Sequence, residues 1–143
     1  MSEFRALSEL VLASPQIALA DIATARDHGV TLIINNRPDG EDPLAPQSAE
    51  VESAAQQAGI QYEAIPVGHS GFSEAQVEQM IEALAGAKGK ALAYCRSGTR
   101  STLLWALAQA KIGIDPETIA HAAAAAGYDV TPVRPMLDML ASN

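Results

Sequence analysis

Several residue types are scarce in this chain, and each shortage excludes a class of protein. The 143 residues include one cysteine, 4% aromatic residues, and only nine Lys and Arg against 17 Asp and Glu, for a formal net charge of −8. One cysteine cannot form an internal disulfide, and the scattered His28, His69 and His121 complete no zinc-binding pattern. Nucleic-acid binding requires a basic face that releases counterions. We therefore expect no metal, no other cofactor and no nucleic-acid partner.

Long apolar runs are also missing. No run approaches the roughly 20 residues that span a bilayer, and the first residues lack the basic and apolar regions of a signal peptide. We therefore expect a cytoplasmic protein without a membrane partner. With 48% hydrophobic residues, a chain of this length is expected to form a single domain over residues 1–143 with its own core. The sequence leaves the oligomeric state open.

Short apolar runs alternate with helical segments along the chain. Strands are predicted at residues 7–12, 30–35, 61–67 and 91–94. Helices are predicted at residues 18–28, 48–58, 73–84, from 99 or 101 to 112, and 115–126. Ser73 and Gln76 form a capping-box signature, and Asp115-Pro116 is typical of a helix start. This alternation predicts an α/β fold with a mainly parallel sheet flanked by helices on both faces.

The stretch AYCRSGTRST, residues 93–102, joins the end of a predicted buried strand to the start of a helix. Ligands of open α/β sheets bind at this edge, outside the carboxyl ends of the strands. The backbone N–H groups of Arg96, Ser97, Gly98 and Thr99 can surround an anion, aided by the positive end of the helix. Gly98 permits the tight backbone turn, and Arg100 adds a planar guanidinium that can grip two oxygens. The stretch therefore predicts an anion site.

Cys95 opens this stretch and has two interpretations. A helix N-terminus and nearby arginines favour the thiolate, which would make Cys95 a nucleophile at neutral pH. The alternative is a packing cysteine, because free cysteine is among the most buried residue types. Burial alone does not explain why Gly98, Arg100 and Ser101 follow it. The combination therefore favours a catalytic cysteine.

The motifs also carry a resemblance. YCRSGTRS resembles the phosphate-binding loop of cysteine-dependent phosphatases and, equally, the active-site loop of rhodanese-type sulfurtransferases. Together with IINNRPDGEDP and AGIQYEAIPV at consistent spacing, it makes the chain similar to the phosphatase-like domain family of beta-lactamase hydrolase-like protein. The resemblance implies a fold like that of dual-specificity phosphatases. It also implies that Ser101 donates a hydrogen bond to the thiolate and eases breakdown of a covalent intermediate.

Two features depart from the tyrosine-phosphatase pattern. Four residues separate Cys95 from Arg100 where that pattern has five, which makes a smaller loop, closer to that of sulfurtransferases. The loop that would carry the general-acid aspartate reads PVGHSGFS and contains no carboxylate. His69 in this loop and Asp39 after the second predicted strand are the candidate acids. Their alternatives are an ordinary loop histidine and a turn-forming aspartate.

Two further arginines complete the candidate site. Arg37 follows a predicted strand at the same edge as Cys95, where it could contact the anion or pair with Asp39, Glu41 or Asp42. Arg96 is expected to contribute its backbone N–H while its side chain faces solvent.

Three functions remain open from the sequence. The favoured one is hydrolysis of phosphoesters, from a small anionic substrate or a phosphorylated protein, through a phosphocysteine at Cys95. The second is sulfur transfer through a Cys95 persulfide, and the third is a non-catalytic anion-binding or protein-interaction module.

Overall fold

The structure, a computed structural model, describes residues 3–142, so residues 1, 2 and 143 of the predicted domain lie outside it. Its strands are β1 (Arg5–Ala6), β2 (Val11–Ser14), β3 (Val30–Asn35), β4 (Gln61–Ala64) and β5 (Lys90–Tyr94). Its α-helices are α1 (Asp21–Asp27), α2 (Ser48–Gln57), α3 (Glu74–Gly86), α4 (Thr99–Lys111), α5 (Pro116–Ala125) and α6 (Arg134–Ala141). A short 3-10 turn at Thr131–Val133 precedes α6.

The strands form one sheet in the order β1-β2-β5-β3-β4. All neighbours pair in parallel except β1, which lies antiparallel to β2 at the edge. Alternate residues of each buried strand point into two hydrophobic clusters, because side chains alternate across a strand. One cluster contains residues of α1 and α2, and the other contains residues of α3, α4, α5 and α6. The predicted α/β class and its two helical layers are therefore confirmed.

The strand predicted at residues 7–12 is correct only at its last two residues, where β2 begins, and wrong at residues 7–10. The chain makes a hairpin there, in which β1 and β2 flank a turn at residues 7–10. The N–H groups of Leu7 and Ser8 donate to the Val11 carbonyl, and the Ser8 hydroxyl accepts from the N–H groups of Leu10 and Val11. Local bonding of a serine side chain thus overrides the apolar run.

The first and last helices also differ from the prediction. Helix α1 begins at Asp21 rather than residue 18, because the Asp21 carboxylate accepts the Ala18 N–H at 2.8 Å and shapes a turn ahead of the helix. Helix α6 was not predicted. The available sequence signals were prolines in the first turns of the 3-10 segment and of α6, where proline is favoured. In the structure, Leu137 of α6 is fully buried.

The sheet brings the carboxyl ends of β3 and β5 together, which positions the site. The Asn36 N–H, just after β3, donates to the Tyr94 carbonyl at the end of β5. The chain then continues beyond β4, where the N–H groups of Ile65 and Val67 donate to the carbonyls of Asn35 and Asn36. Three segments that follow strands therefore meet at one edge. Within residues 3–142, no helix is long and apolar enough to cross a membrane.

Candidate active site

Cys95 lies directly after β5 at the start of a loop, residues 95–101, that we call the cradle loop. Its side chain is buried, and its Sγ accepts the Gly98 N–H at 3.1 Å. Gly98 has a φ of +93° and precedes the first residue of α4. This left-handed conformation turns the loop back over the sulfur, as the sequence predicted for a glycine at this position.

The N-terminus of α4 faces the same loop. The first hydrogen bond of the helix joins the Thr102 N–H to the Gly98 carbonyl at 2.9 Å. The N–H groups of Arg100 and Ser101 precede that bond and have no intrahelical partner. Such N–H groups, with the positive end of the helix dipole, are suited to bind an oxyanion beside Cys95.

Neighbouring elements hold the cradle loop from outside. The Tyr128 hydroxyl, beyond α5, donates to the Ser97 carbonyl at 3.1 Å, and a Cβ added to Gly98 would lie 2.1 Å from that hydroxyl oxygen. The Gln16 N–H donates to the Arg96 carbonyl at 3.2 Å. The loop backbone is therefore fixed before any ligand binds.

The other predicted loop residues are arranged around this backbone. Arg96, Ser97 and Thr99 are exposed, and the Ser97 hydroxyl donates to Thr99 Oγ1 at 2.9 Å. The Thr99 N–H in turn donates to Ser97 Oγ at 3.3 Å. The Arg96 side chain faces solvent as expected. Anion contacts by the N–H groups of these three residues stay a prediction.

Arg100 reaches from the first turn of α4 to a carboxylate that the sequence did not single out as a site residue. Its Nη1 donates to Glu41 Oε2 at 2.9 Å, and its Nη2 donates to Glu41 Oε1 at 2.7 Å. Nη1 also donates to the Val67 carbonyl at 2.7 Å. The two side chains are each more than four-fifths buried, and the pair is bidentate.

Arg37 lies on the other side of the same carboxylate. Its Nε donates to Glu41 Oε1 at 2.7 Å, and its Nη1 donates to Gln16 Oε1 at 2.9 Å. Of the two interpretations offered by the sequence, the structure places Arg37 in the pair with Glu41. The Glu41 carboxylate accepts hydrogen bonds from both Arg37 and Arg100. Direct contact of Arg37 with a bound anion stays a prediction.

The two arginines change the ionisation of this cluster. The hydrogen bond from Arg100 is the largest influence that lowers the pKa of Glu41, from 4.5 to about 2, and Arg37 lowers it further against the opposing effect of burial. The pKa of Arg100 is raised, first by its hydrogen bonds to Glu41 and then by its interaction with Cys95. Glu41 is therefore a carboxylate at neutral pH and cannot supply a proton.

Ser101 lies in the buried first turn of α4. Its hydroxyl donates to Asn36 Oδ1 at 2.7 Å, and Asn36 Nδ2 donates to the Ile65 carbonyl at 2.9 Å. The serine thus ties α4 to the segments after β3 and β4. A serine hydroxyl has one hydrogen to donate, and here Asn36 accepts it, so the hydrogen bond to Cys95 that the resemblance implied is not formed in this structure.

The two candidate acids occupy different surroundings. His69 is exposed in the turn after β4 and has no hydrogen-bond partner within residues 3–142. The Asp39 carboxylate accepts the Ser48 N–H at 2.8 Å, at the start of α2. Asp39 therefore helps to form the N-terminus of α2, a role that the sequence did not suggest. A proton-donor role for either residue stays a prediction.

Sequence reasoning missed Gln16 and Tyr128, and it named Glu41 only as one of three possible partners of Arg37, not as a partner of Arg100. Glu41 follows the RPDG turn four residues after Arg37, and that spacing was the available signal for a charge pair. The other two gave no signal, because each reaches the cradle loop from a distant part of the chain.

The family model for the phosphatase-like domain of beta-lactamase hydrolase-like protein matches residues 3–112. The chain is 36% identical over 107 residues to the beta-lactamase hydrolase-like protein of Agrobacterium fabrum, covering 75% of this chain and 25% of that protein. It is 40% identical over 81 residues to the Xylella fastidiosa protein of the same name, covering 57% of this chain and 19% of that protein. The chain thus spans about a quarter or less of the length of these relatives.

Solved structures share the fold over nearly the whole chain. The Neisseria meningitidis protein nma1982, described as a candidate phosphatase, superposes with a TM-score of 0.85 at 33% identity, covering 96% of this chain and 98% of that one. Tk-PTP in its active form has a TM-score of 0.74 at 18% identity, with 99% and 97% coverage. PTPMT1 has a TM-score of 0.71 at 16% identity, with 97% and 96% coverage. At these last two identities the likeness concerns the fold alone.

Proposed function

Because the chain belongs to the phosphatase-like domain family of beta-lactamase hydrolase-like proteins, we propose that it is a cysteine-dependent phosphatase with Cys95 as the nucleophile. One observation carries the proposal: the Cys95 sulfur accepts the Gly98 N–H within a braced loop that also contains Arg100. A hydrogen bond donated to sulfur and a nearby guanidinium both stabilise a thiolate.

The reaction proceeds in two displacements. The Cys95 thiolate attacks phosphorus, the bond from phosphorus to the ester oxygen breaks, and the leaving alkoxide or phenoxide takes a proton. Water then attacks the phosphocysteine, which releases inorganic phosphate and restores the thiolate. The N–H groups at the start of α4 and the Arg100 guanidinium compensate the charge that develops on the phosphoryl oxygens.

The preferred substrate class depends on whether a general acid is positioned to protonate the leaving group. A positioned acid contributes about 10² to 10⁴-fold, and a phenolic leaving group depends on it less than an alcohol does. His69 is exposed and Asp39 accepts the Ser48 N–H, so neither is held toward Cys95 by another side chain. We therefore propose a preference for aryl phosphates, including phosphotyrosine on small molecules or proteins, over phosphoserine and phosphothreonine.

The test compares leaving groups. We expect p-nitrophenyl phosphate and a phosphotyrosine peptide to be hydrolysed, a phosphoserine peptide to be hydrolysed far more slowly, and Cys95→Ser to abolish all turnover. If either candidate is the acid, His69→Ala or Asp39→Asn will reduce turnover selectively on the poorer leaving group. His121→Ala, which changes an exposed histidine of α5, is the matched control. Turnover that survives in Cys95→Ser would contradict the proposal.

The short loop supports a second candidate, sulfur transfer. Only four residues separate Cys95 from Arg100, and no proton is needed when thiosulfate passes its outer sulfur to the Cys95 thiolate and releases sulfite. Incubation with thiosulfate would then leave the protein one sulfur atom heavier in an intact mass spectrum, and cyanide would remove that sulfur as thiocyanate. A persulfide without Cys95-dependent phosphatase activity would replace the first proposal by this one. If the protein shows neither phosphatase nor sulfurtransferase activity, the result would favour a non-catalytic anion-binding module.

A further inference from the structure

The Glu41 carboxylate occupies one edge of the Arg100 guanidinium, and that contact has two opposite meanings. A bound carboxylate could compete with a substrate phosphate for the arginine. Alternatively, it could hold the arginine in the orientation that binding requires. The donors of Arg100 distinguish these possibilities.

A guanidinium carries one hydrogen on Nε and two on each of Nη1 and Nη2. Glu41 takes one hydrogen from each terminal nitrogen, so it lies against the end of the guanidinium. The Val67 carbonyl takes the second hydrogen of Nη1. The Nε hydrogen and the second hydrogen of Nη2 remain, and within residues 3–142 the only side chain other than Glu41 that interacts with Arg100 is Cys95, the proposed nucleophile. These two donors form the lateral edge of the guanidinium, which can itself bind an oxyanion through two parallel hydrogen bonds.

Resting on the proposed phosphatase function, we propose that Glu41 is a positioning residue, which holds the end of the Arg100 guanidinium so that its lateral edge is presented to the substrate oxyanion. Glu41 and the substrate then bind different edges of one arginine at the same time. Glu41 acts through Arg100 and does not contact the substrate.

The surroundings of Glu41 support a fixed carboxylate. Arg37 donates to its Oε1, Arg37 is held by Gln16, and the Gln16 N–H donates to the Arg96 carbonyl in the cradle loop. The residues that hold Glu41 are therefore themselves hydrogen-bonded to the cradle loop, which we propose binds the anion. Arg37, Arg100 and Glu41 together carry one net positive charge, which preserves attraction for an anion.

The test measures oxyanion binding separately from turnover. Calorimetric titration with tungstate, a non-hydrolysable tetrahedral oxyanion, is compared for the wild type, Glu41→Gln and Asp42→Asn. Asp42 is the adjacent loop carboxylate, and it accepts the Leu44 N–H rather than an arginine. We expect Glu41→Gln to weaken tungstate binding by about 10-fold or more and to lower kcat by about 10²-fold, while Asp42→Asn stays within about two-fold. Tighter tungstate binding by Glu41→Gln would mean that the carboxylate competes, and it would overturn the proposal, as would unchanged binding.

A double-mutant cycle tests whether Glu41 affects tungstate binding through Arg100. If Glu41 acts through Arg100, Glu41→Gln will cause no further loss of tungstate affinity in an Arg100→Ala background. An equal loss in both backgrounds would show that Glu41 acts independently of the arginine and would overturn the proposal. The melting temperature of each variant shows that the compared proteins are folded. Because this readout needs no hydrolysis, absence of phosphatase activity would refute the proposed function without deciding the role of Glu41.

Discussion

Two loops that Arg100 connects are built in different ways. The cradle loop is fixed by Gln16, Tyr128 and its own Gly98 N–H. The loop at residues 66–73 is held at its ends, by Arg100 on the Val67 carbonyl and by the reciprocal capping box of Ser73 and Gln76, while His69 in its middle is exposed. The fold thus fixes the loop that we propose binds the anion, whereas it leaves His69, one of the two candidate acids, exposed.

Replacing Arg100 gives the largest expected effect on the cradle loop. Lysine keeps the charge but cannot bind Glu41 and an oxyanion with two planar edges, so Arg100→Lys should lower kcat/KM for p-nitrophenyl phosphate by about 10² to 10³-fold. The exposed Arg96 is the matched control, and Arg96→Lys should stay within about two-fold. Equal losses in the two variants would show that the loop geometry is assigned wrongly.

Adding one carbon to the loop is the next test. Gly98→Ala puts a Cβ 2.1 Å from the Tyr128 hydroxyl oxygen at a φ of +93°, so we expect turnover to fall by about 10²-fold as the loop shifts. Gly113→Ala is matched because its φ is +102° and nothing lies within 4 Å of the added carbon. It should cost about 1 to 2 kcal/mol of stability and leave turnover unchanged. Similar turnover in both variants would contradict the role of the Tyr128 contact.

Acid titration of stability tests the arginine cluster. Because the pKa of Glu41 is lowered from 4.5 to about 2, the folded state favours the carboxylate by about 3 kcal/mol above pH 4.5. That stabilisation should disappear as the pH falls from 4.5 toward 2, and urea unfolding at successive pH values measures it. Glu41→Gln should remove this part of the pH dependence, whereas Glu52→Gln on the exposed surface of α2 should retain it. The same acid dependence in wild type and Glu41→Gln would disprove the shift.

Removing the Tyr128 hydroxyl gives the smallest expected effect. Tyr128→Phe loses the hydrogen bond to the Ser97 carbonyl but keeps the ring beside Gly98, so we expect a loss of about 1 kcal/mol in unfolding free energy and a turnover decrease of about five-fold. Tyr62→Phe is the control, because the Tyr62 hydroxyl accepts from Asn35 outside the cradle loop. It should lose stability without losing turnover. A turnover loss as large in Tyr62→Phe would show a general effect of destabilisation.

The fold could be predicted largely from local patterns. Apolar runs followed by helical segments predicted the parallel sheet, and the Ser73–Gln76 pair predicted the start of α3, where both reciprocal hydrogen bonds are present. The N-terminal hairpin was missed because Ser8 bonds its own neighbours in the chain. Helix α6 was missed because it is short and its prolines were not recognised as a start signal.

In the candidate site, too, the residues that are close together in the sequence could be predicted, whereas their distant partners could not. The cradle loop is contiguous in sequence, so Cys95, Gly98 and Arg100 could be assigned to one loop from their spacing. The partners that fix it are far away in the chain: Glu41 lies 59 residues before Arg100, and Tyr128 lies 31 residues after Ser97. Such pairings depend on how the elements pack, and no local pattern encodes them. This is why the pairing of Glu41 with Arg100 emerged only from the structure.

The most direct test of Cys95 as the nucleophile is capture of the covalent intermediate. The protein is mixed with excess p-nitrophenyl phosphate, quenched in acid during turnover and digested, and the peptide containing Cys95 is weighed by mass spectrometry. We expect a fraction of this peptide to carry one phosphoryl group, and we expect Cys95→Ser to show neither the adduct nor turnover. Sustained hydrolysis by Cys95→Ser, with no phosphorylated Cys95 peptide in the wild type, would contradict the proposed mechanism.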